Sequence, residues 1–182
     1  MKDGSDLRGL IKLTSGNKIK FKKTKKDKKQ TLDYKRVTRV KFHFEEEYLY
    51  KITKKRKKII LIKREIKGKL NLYSLISQSS GIPIGNPGAP VIGAYTTTVY
   101  YVGKKNNDYI EELPSITNKK FIEILSKYAS DCSDCSDFIN KIKDKDSINY
   151  FFEKKEKEFK GNFESKDAML EDIINYYNST CS

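Results

Sequence analysis

Three cysteines and one histidine are the residues of this chain best suited to metal or redox chemistry. Cys132 and Cys135 stand as C-x-x-C, and Cys181 is distant. A zinc site needs four soft ligands, or three and a solvent position. His43 lies far from the cysteines on a predicted strand, so no metal site is expected. A thioredoxin-like thiol pair would open a helix after a βαβ unit, whereas the segment before Cys132 is helical in pattern. Asp131, Asp134 and Asp137 recur at every third position, which is not calcium-loop spacing and suits charges at a helix N-terminus. Glu45, Glu46 and Glu47 supply carboxylates, but no second acid in an apolar pocket is identifiable for a paired-carboxylate hydrolase. Ser74, Ser77, Ser79 and Ser80 lie in no Gly-x-Ser-x-Gly elbow. The glycines near them follow no phosphate-loop pattern, and no Gly-Lys-Ser/Thr occurs. No catalytic residue, metal or cofactor is therefore expected, and an enzyme ranks last among the readings.

Charge is the stronger signal. The 182 residues carry a net +14, but residues 1–70 hold 25 Lys+Arg against 8 Asp+Glu, while residues 71–182 hold 13 against 16. The excess concentrates in two runs. One contains Lys20, Lys22, Lys23, Lys25, Lys26, Lys28 and Lys29; the other contains Lys54, Lys55, Arg56, Lys57 and Lys58. Such runs are either solvated turns and guarded sheet edges or a surface for a polyanion: nucleic acid, acidic lipid or an acidic protein. Tyr34, Tyr48 and Tyr50 near Arg36, Arg39 and Lys51 could stack bases; equally, they are ordinary sheet residues facing a core. No RNA-binding signature occurs.

The elements that must position these groups read as strands first and helices second. Residues 8–14 and 18–22 flank Ser15-Gly16-Asn17 as a hairpin, with Ile19 and Phe21 on one face. Val40, Phe42 and Phe44 alternate with Arg39, Lys41 and His43; Tyr48, Tyr50 and Ile52 alternate again; Ile59 to Tyr73 continues the pattern. Residues 74–94 contain no charge and are rich in Gly, Pro and Ser. They read as a long loop whose Ile82, Ile84, Val91 and Ile92 could dock a partner. Residues 95–102 have the highest strand propensity, and Pro114 ends the sheet region. Phe121, Ile124, Leu125 and Tyr128 then adopt helical spacing. After a small polar break at 131–137, a second helix is expected near Ser136, with Phe138, Ile139 and Ile142 inward. A third is expected over 147–160, and a last one, capped by Ser165, carries Met169, Leu170, Ile173, Ile174 and Tyr177. The fold class is α+β: a twisted antiparallel sheet or partly open barrel over 1–114, then three to four short helices over 115–182. A modest core is affordable with 37% hydrophobic residues, and no apolar run is long enough for a membrane-spanning helix.

Several segments share one pattern in order: Gly9 to Asn17; Gly68-Lys69-Leu70-Asn71-Leu72-Tyr73; Tyr100-Tyr101-Val102-Gly103-Lys104-Lys105; a helix closing in Asp131-Cys132; and Tyr177-Asn178-Ser179-Thr180-Cys181. Together they resemble a group of uncharacterised exported proteins of Bacteroidetes bacteria, in which a small β-domain precedes a helical tail. The resemblance implies a periplasmic or outer-membrane-associated location, a protein partner in the envelope and no catalytic residue to carry over. The chain departs from that pattern by its charged stretch at 147–164 and by a start, Met-Lys-Asp-Gly-Ser-Asp, without a signal peptide's apolar core. If Met1 is the true start, a cytoplasmic location is expected. A structural disulfide fits the export reading: Cys181 could pin the last helix to the 131–137 linker, closing a loop of about 45–50 residues worth about 2–4 kcal/mol. Cys132 fits the position the resemblance implies, with Cys135 spare; three reduced thiols are the cytoplasmic alternative. The expected function is a non-enzymatic envelope binding or scaffold protein, with an accessory subunit of an outer-membrane assembly as its finer form. The alternative is a cytoplasmic polyanion-binding protein.

Overall fold

The computed structural model describes residues 1–14, 18–42, 46–83, 91–115, 118–140 and 166–181, and for 77–83, 91–95 and 166–169 the backbone alone. Alternation of apolar and polar residues sets the first layer. Strands β1 (Leu10–Thr14), β2 (Lys18–Lys22) and β3 (Gln30–Leu32) form an antiparallel meander. Its registers Ile11↔Phe21, Leu13↔Ile19 and Ile19↔Leu32 put these residues on one face. Of that face, Ile11, Leu13, Ile19 and Leu32 pack with Val37, just before the second layer, and with Val40, Tyr48, Tyr50 and Leu61 of that layer.

The second layer is a six-stranded sheet: β4 (Arg39–Lys41), β5 (Glu47–Thr53), β6 (Ile59–Ile66), β7 (Leu70–Pro83), β8 (Val91–Lys104) and β9 (Tyr109–Glu112). Each strand pairs antiparallel with the next, and β5 then pairs with β9 in parallel, Ile52 opposite Tyr109 and Thr53 opposite Ile110. A meander of five strands closing on itself must end in a parallel pair, because its first and last strands run the same way. The Ile52 N–H donates to the Asp108 carbonyl at 2.9 Å and the Lys54 N–H to the Ile110 carbonyl at 2.8 Å, sealing the barrel. Gly103 permits the close approach of β9 to β8, since a Cβ there would collide with Ile110. Inside lie Ile60, Ile62, Tyr73, Tyr101 and Ile110.

The third layer is helical: α1 (Lys119–Ala129), α2 (Ser133–Asn140) and α3 (Lys166–Thr180). Asn118 caps α1, its side-chain oxygen accepting from the Lys120 N–H at 3.0 Å. Leu70, Leu72 and Val102, on the outer barrel face, share one core with Phe121, Leu125, Ile139, Ile173, Ile174 and Tyr177. Each such buried side chain contributes about 1.5–3 kcal/mol.

Two sequence expectations need correction. The 74–94 segment is mostly not a loop: β7 continues to Pro83 and β8 starts at Val91, paired through Ser79↔Tyr95, Ser80↔Ala94 and Ile82↔Ile92. Two strands satisfying each other's backbone groups need neither charge nor a core behind them, and Pro83 sits at the end of the ladder, where it is tolerated. Ile84 lies outside the described residues. The 131–137 break is shorter than expected, because α2 begins at Ser133. The helix expected over 147–160, Ile142 and the Ser165 cap lie outside the described residues.

Candidate binding surfaces

Four of the five segments that carry the resemblance meet at one place, where α3 ends against the barrel; the first, from Gly9, lies instead in the three-stranded sheet. Cys181 is disulfide-bonded to Cys132, 49 residues earlier, with Cα atoms 5.6 Å apart. Cys135 is a buried free thiol whose pKa burial pushes up. Tyr177 donates its hydroxyl proton to Asp131 at 2.9 Å, and Lys104 reaches both Asp131, at 2.9 Å, and the Tyr177 oxygen. Asn178 does the work of a missing strand: its side chain accepts from the Leu70 N–H and donates to the Leu70 carbonyl, both at 2.9 Å. Gly68 leaves room for that amide, since a Cβ would overlap it. Lys69 donates to the Cys181 carbonyl at 2.7 Å. This is a latch, with every polar group spent on holding helices to barrel.

The latch sets a pH dependence. The Lys104 hydrogen bond, ahead of opposing burial and with Tyr177, holds the Asp131 carboxyl below its ordinary value. A depressed carboxylate contributes stability that is present above the unfolded pKa and lost as pH falls through the folded one. Because Asp131 is largely exposed, the contribution is under about 1 kcal/mol. Asp131→Asn should therefore cost that much near neutrality in urea titration, and the gap should close in acid.

The barrel interior holds polar groups that are also committed. Lys51 is 7% exposed; it donates to the Asn107 carbonyl at 2.8 Å, and burial lowers its pKa against the pull of Asp108. Burial raises Tyr73 to about 12. Glu47 pairs with Arg64, its cross-strand partner, and with Arg39 at 3.6 Å. Among the described residues, no group of three or more His, Cys, Asp and Glu could hold a metal ion. His43 and Glu45 lie outside them.

A different surface begins where the barrel ends. β7 pairs with β6 only through Ser74, and β8 with β9 only at Tyr101 and Val102. Beyond Leu75 and Val99, which still pack against the barrel core, β7 and β8 pair only with each other among the described strands. This arm, Ile76–Pro83 against Val91–Thr98, is roughly 25 Å long at about 3.4 Å per residue. No charged residue occurs between Lys69 and Lys104. Ile76, at the arm's root, is 64% exposed. Ile82, Val91 and Ile92 are ladder positions within the arm. Where β6 and β7 diverge, Ile60, Leu61, Leu75 and Ile76 line an open cleft of about 410 Å³.

The two lysine runs separate. Lys54, a polyanion- or partner-binding candidate in the sequence, lies between Glu111, at 3.1 Å, and the Tyr128 hydroxyl, at 2.8 Å, tying β5 to α1. Lys57, at φ 51°, lies over the Tyr109 ring. Lys55, Arg56 and Lys58 remain exposed on that turn. In the other run, Lys23, Lys25, Lys26, Lys28 and Lys29 are exposed, and Lys20 and Lys22 stand half-buried on the outer face of β2. Lys12 and Lys18, not singled out from sequence, share that face; strand alternation across the hairpin was the signal that could have found them.

Set against known proteins, the chain matches no family model, no curated protein and no solved structure.

Proposed function

We propose that this chain is a non-enzymatic binding or scaffold module of the cell envelope, periplasmic or outer-membrane-associated, that engages a protein partner through its β-arm. The uncharged arm carries the reading. The edge strands β1 and β4 bear Lys or Arg, which discourage strand addition; the arm bears none, and its backbone edges suit an added strand. The disulfide supports an oxidising compartment, and the meeting of four of the five shared segments at the latch supports the Bacteroidetes group. An accessory role in an outer-membrane assembly is the finer form of the same proposal.

A photo-crosslinking residue placed at exposed Thr98, opposite Ile76 on the arm, should in cells yield a discrete envelope complex. Ile76→Lys should reduce that complex at least about tenfold, because a charge must be desolvated in the contact, while melting stays unchanged. Loss of neither complex nor crosslink on shortening the arm, or absence of any crosslink, would contradict the proposal.

A further inference from the structure

We infer that the outer face of the β1–β2–β3 sheet is a docking surface for an anionic lipid membrane. The register puts Lys12 directly opposite Lys20, with Thr14 opposite Lys18 on one side and Leu10 opposite Lys22 on the other; Thr31 follows Lys20 on β3. Four ammonium groups therefore share one face of a three-stranded sheet. Like charges directly across strands oppose folding, and no ion pair among the described residues relieves them. Lys22 donates to the Lys25 carbonyl at 3.3 Å; the sheet's packing comes from the opposite face. An external anion accounts for the arrangement.

The remaining residues select the anion. Leu10, on this face, is 47% exposed, and neighbouring Leu7 is 45% exposed. Exposed leucines among lysines match the boundary of a bilayer, where apolar groups enter and ammonium groups meet phosphates. No aromatic side chain stands on the face among the described residues: Phe21 points inward and is 6% exposed. A nucleic-acid platform would stack bases on such rings. The basic run continues into the turn with Lys23, Lys25 and Lys26, extending the positive surface. The inference stands apart from the arm, which it does not use.

The test is co-sedimentation of the full chain with vesicles of phosphatidylcholine, with or without phosphatidylglycerol, beside retention on duplex DNA. Binding should require phosphatidylglycerol and fall with added salt. Lys12→Glu with Lys20→Glu should weaken it at least about 25-fold, at about fivefold per lysine. Leu10→Asn should weaken it while leaving the salt dependence intact. The single variant Lys12→Glu, facing Lys20, should weaken binding yet melt no lower than the parent, which separates lost binding from lost folding. Equal binding to neutral vesicles, no binding to acidic ones, or salt-sensitive retention on DNA without vesicle binding would each overturn the inference, the last in favour of nucleic acid.

Discussion

The double variant Cys132→Ser/Cys181→Ser should unfold about 4 kcal/mol more easily than the parent, and reducing the parent should produce the same loss. The bridge closes a loop of 49 residues, and the chain-entropy cost of leaving a loop of that length open in the unfolded state is about 4 kcal/mol. Both cysteines must be replaced together, because Cys135 sits one helical turn from Cys132 and could take its place. Cys135→Ala should leave the sensitivity to reductant unchanged. Chemical unfolding with and without reductant measures all three. α3 is held also by Tyr177, Asn178 and its apolar stripe, so the reduced protein should remain folded in mild conditions but lose protection first at α3. If reduction shifts nothing, the bridge is not the restraint on the last helix.

Glu47→Ala should cost about 3–5 kcal/mol, because it strands a largely buried guanidinium. The Glu47 and Arg64 side chains are 9% and 15% exposed, and they meet across the β5–β6 ladder. Burial already lowers the Arg64 pKa, the nearby Arg39 adding to the effect. Arg39 is 55% exposed and can return to water; Arg64 cannot. Replacing both partners by leucine should recover most of the loss, since removing the pair also removes its desolvation. Equal damage from the single and double replacements would show that packing, not stranded charge, is what Glu47 provides. Denaturant midpoints of the two variants decide it.

Much of the fold was legible because local alternation reports which face a residue takes. Ile19 and Phe21, Val40 and Phe42, and Leu170, Ile173, Ile174 and Tyr177 follow their periods closely enough to place strand, sheet face and helix stripe. Closure of the barrel was not legible: the β5–β9 pair joins residues more than fifty positions apart, and nothing local marks it. The arm was misread because Gly, Pro and Ser are turn residues when they must meet a core, but a two-stranded ribbon asks little of them. Lys54 and Lys20 look alike in a list of lysines. Glu111 and Tyr128, distant in sequence, claim the first, whereas the hairpin register leaves the second on an open face. The latch shows the opposite case. Gly68, Leu70, Lys104, Asp131, Tyr177, Asn178 and Cys181 stood out as short segments, and only the packing of α3 on β7 explains why they occur together.

We propose a disulfide-latched module working in an oxidising compartment, and counting thiols tests this most directly. Protein taken from its own cells, trapped without reductant and denatured, should present one free thiol, that of Cys135. Three free thiols would contradict the account, removing both the latch's covalent restraint and the case for the envelope.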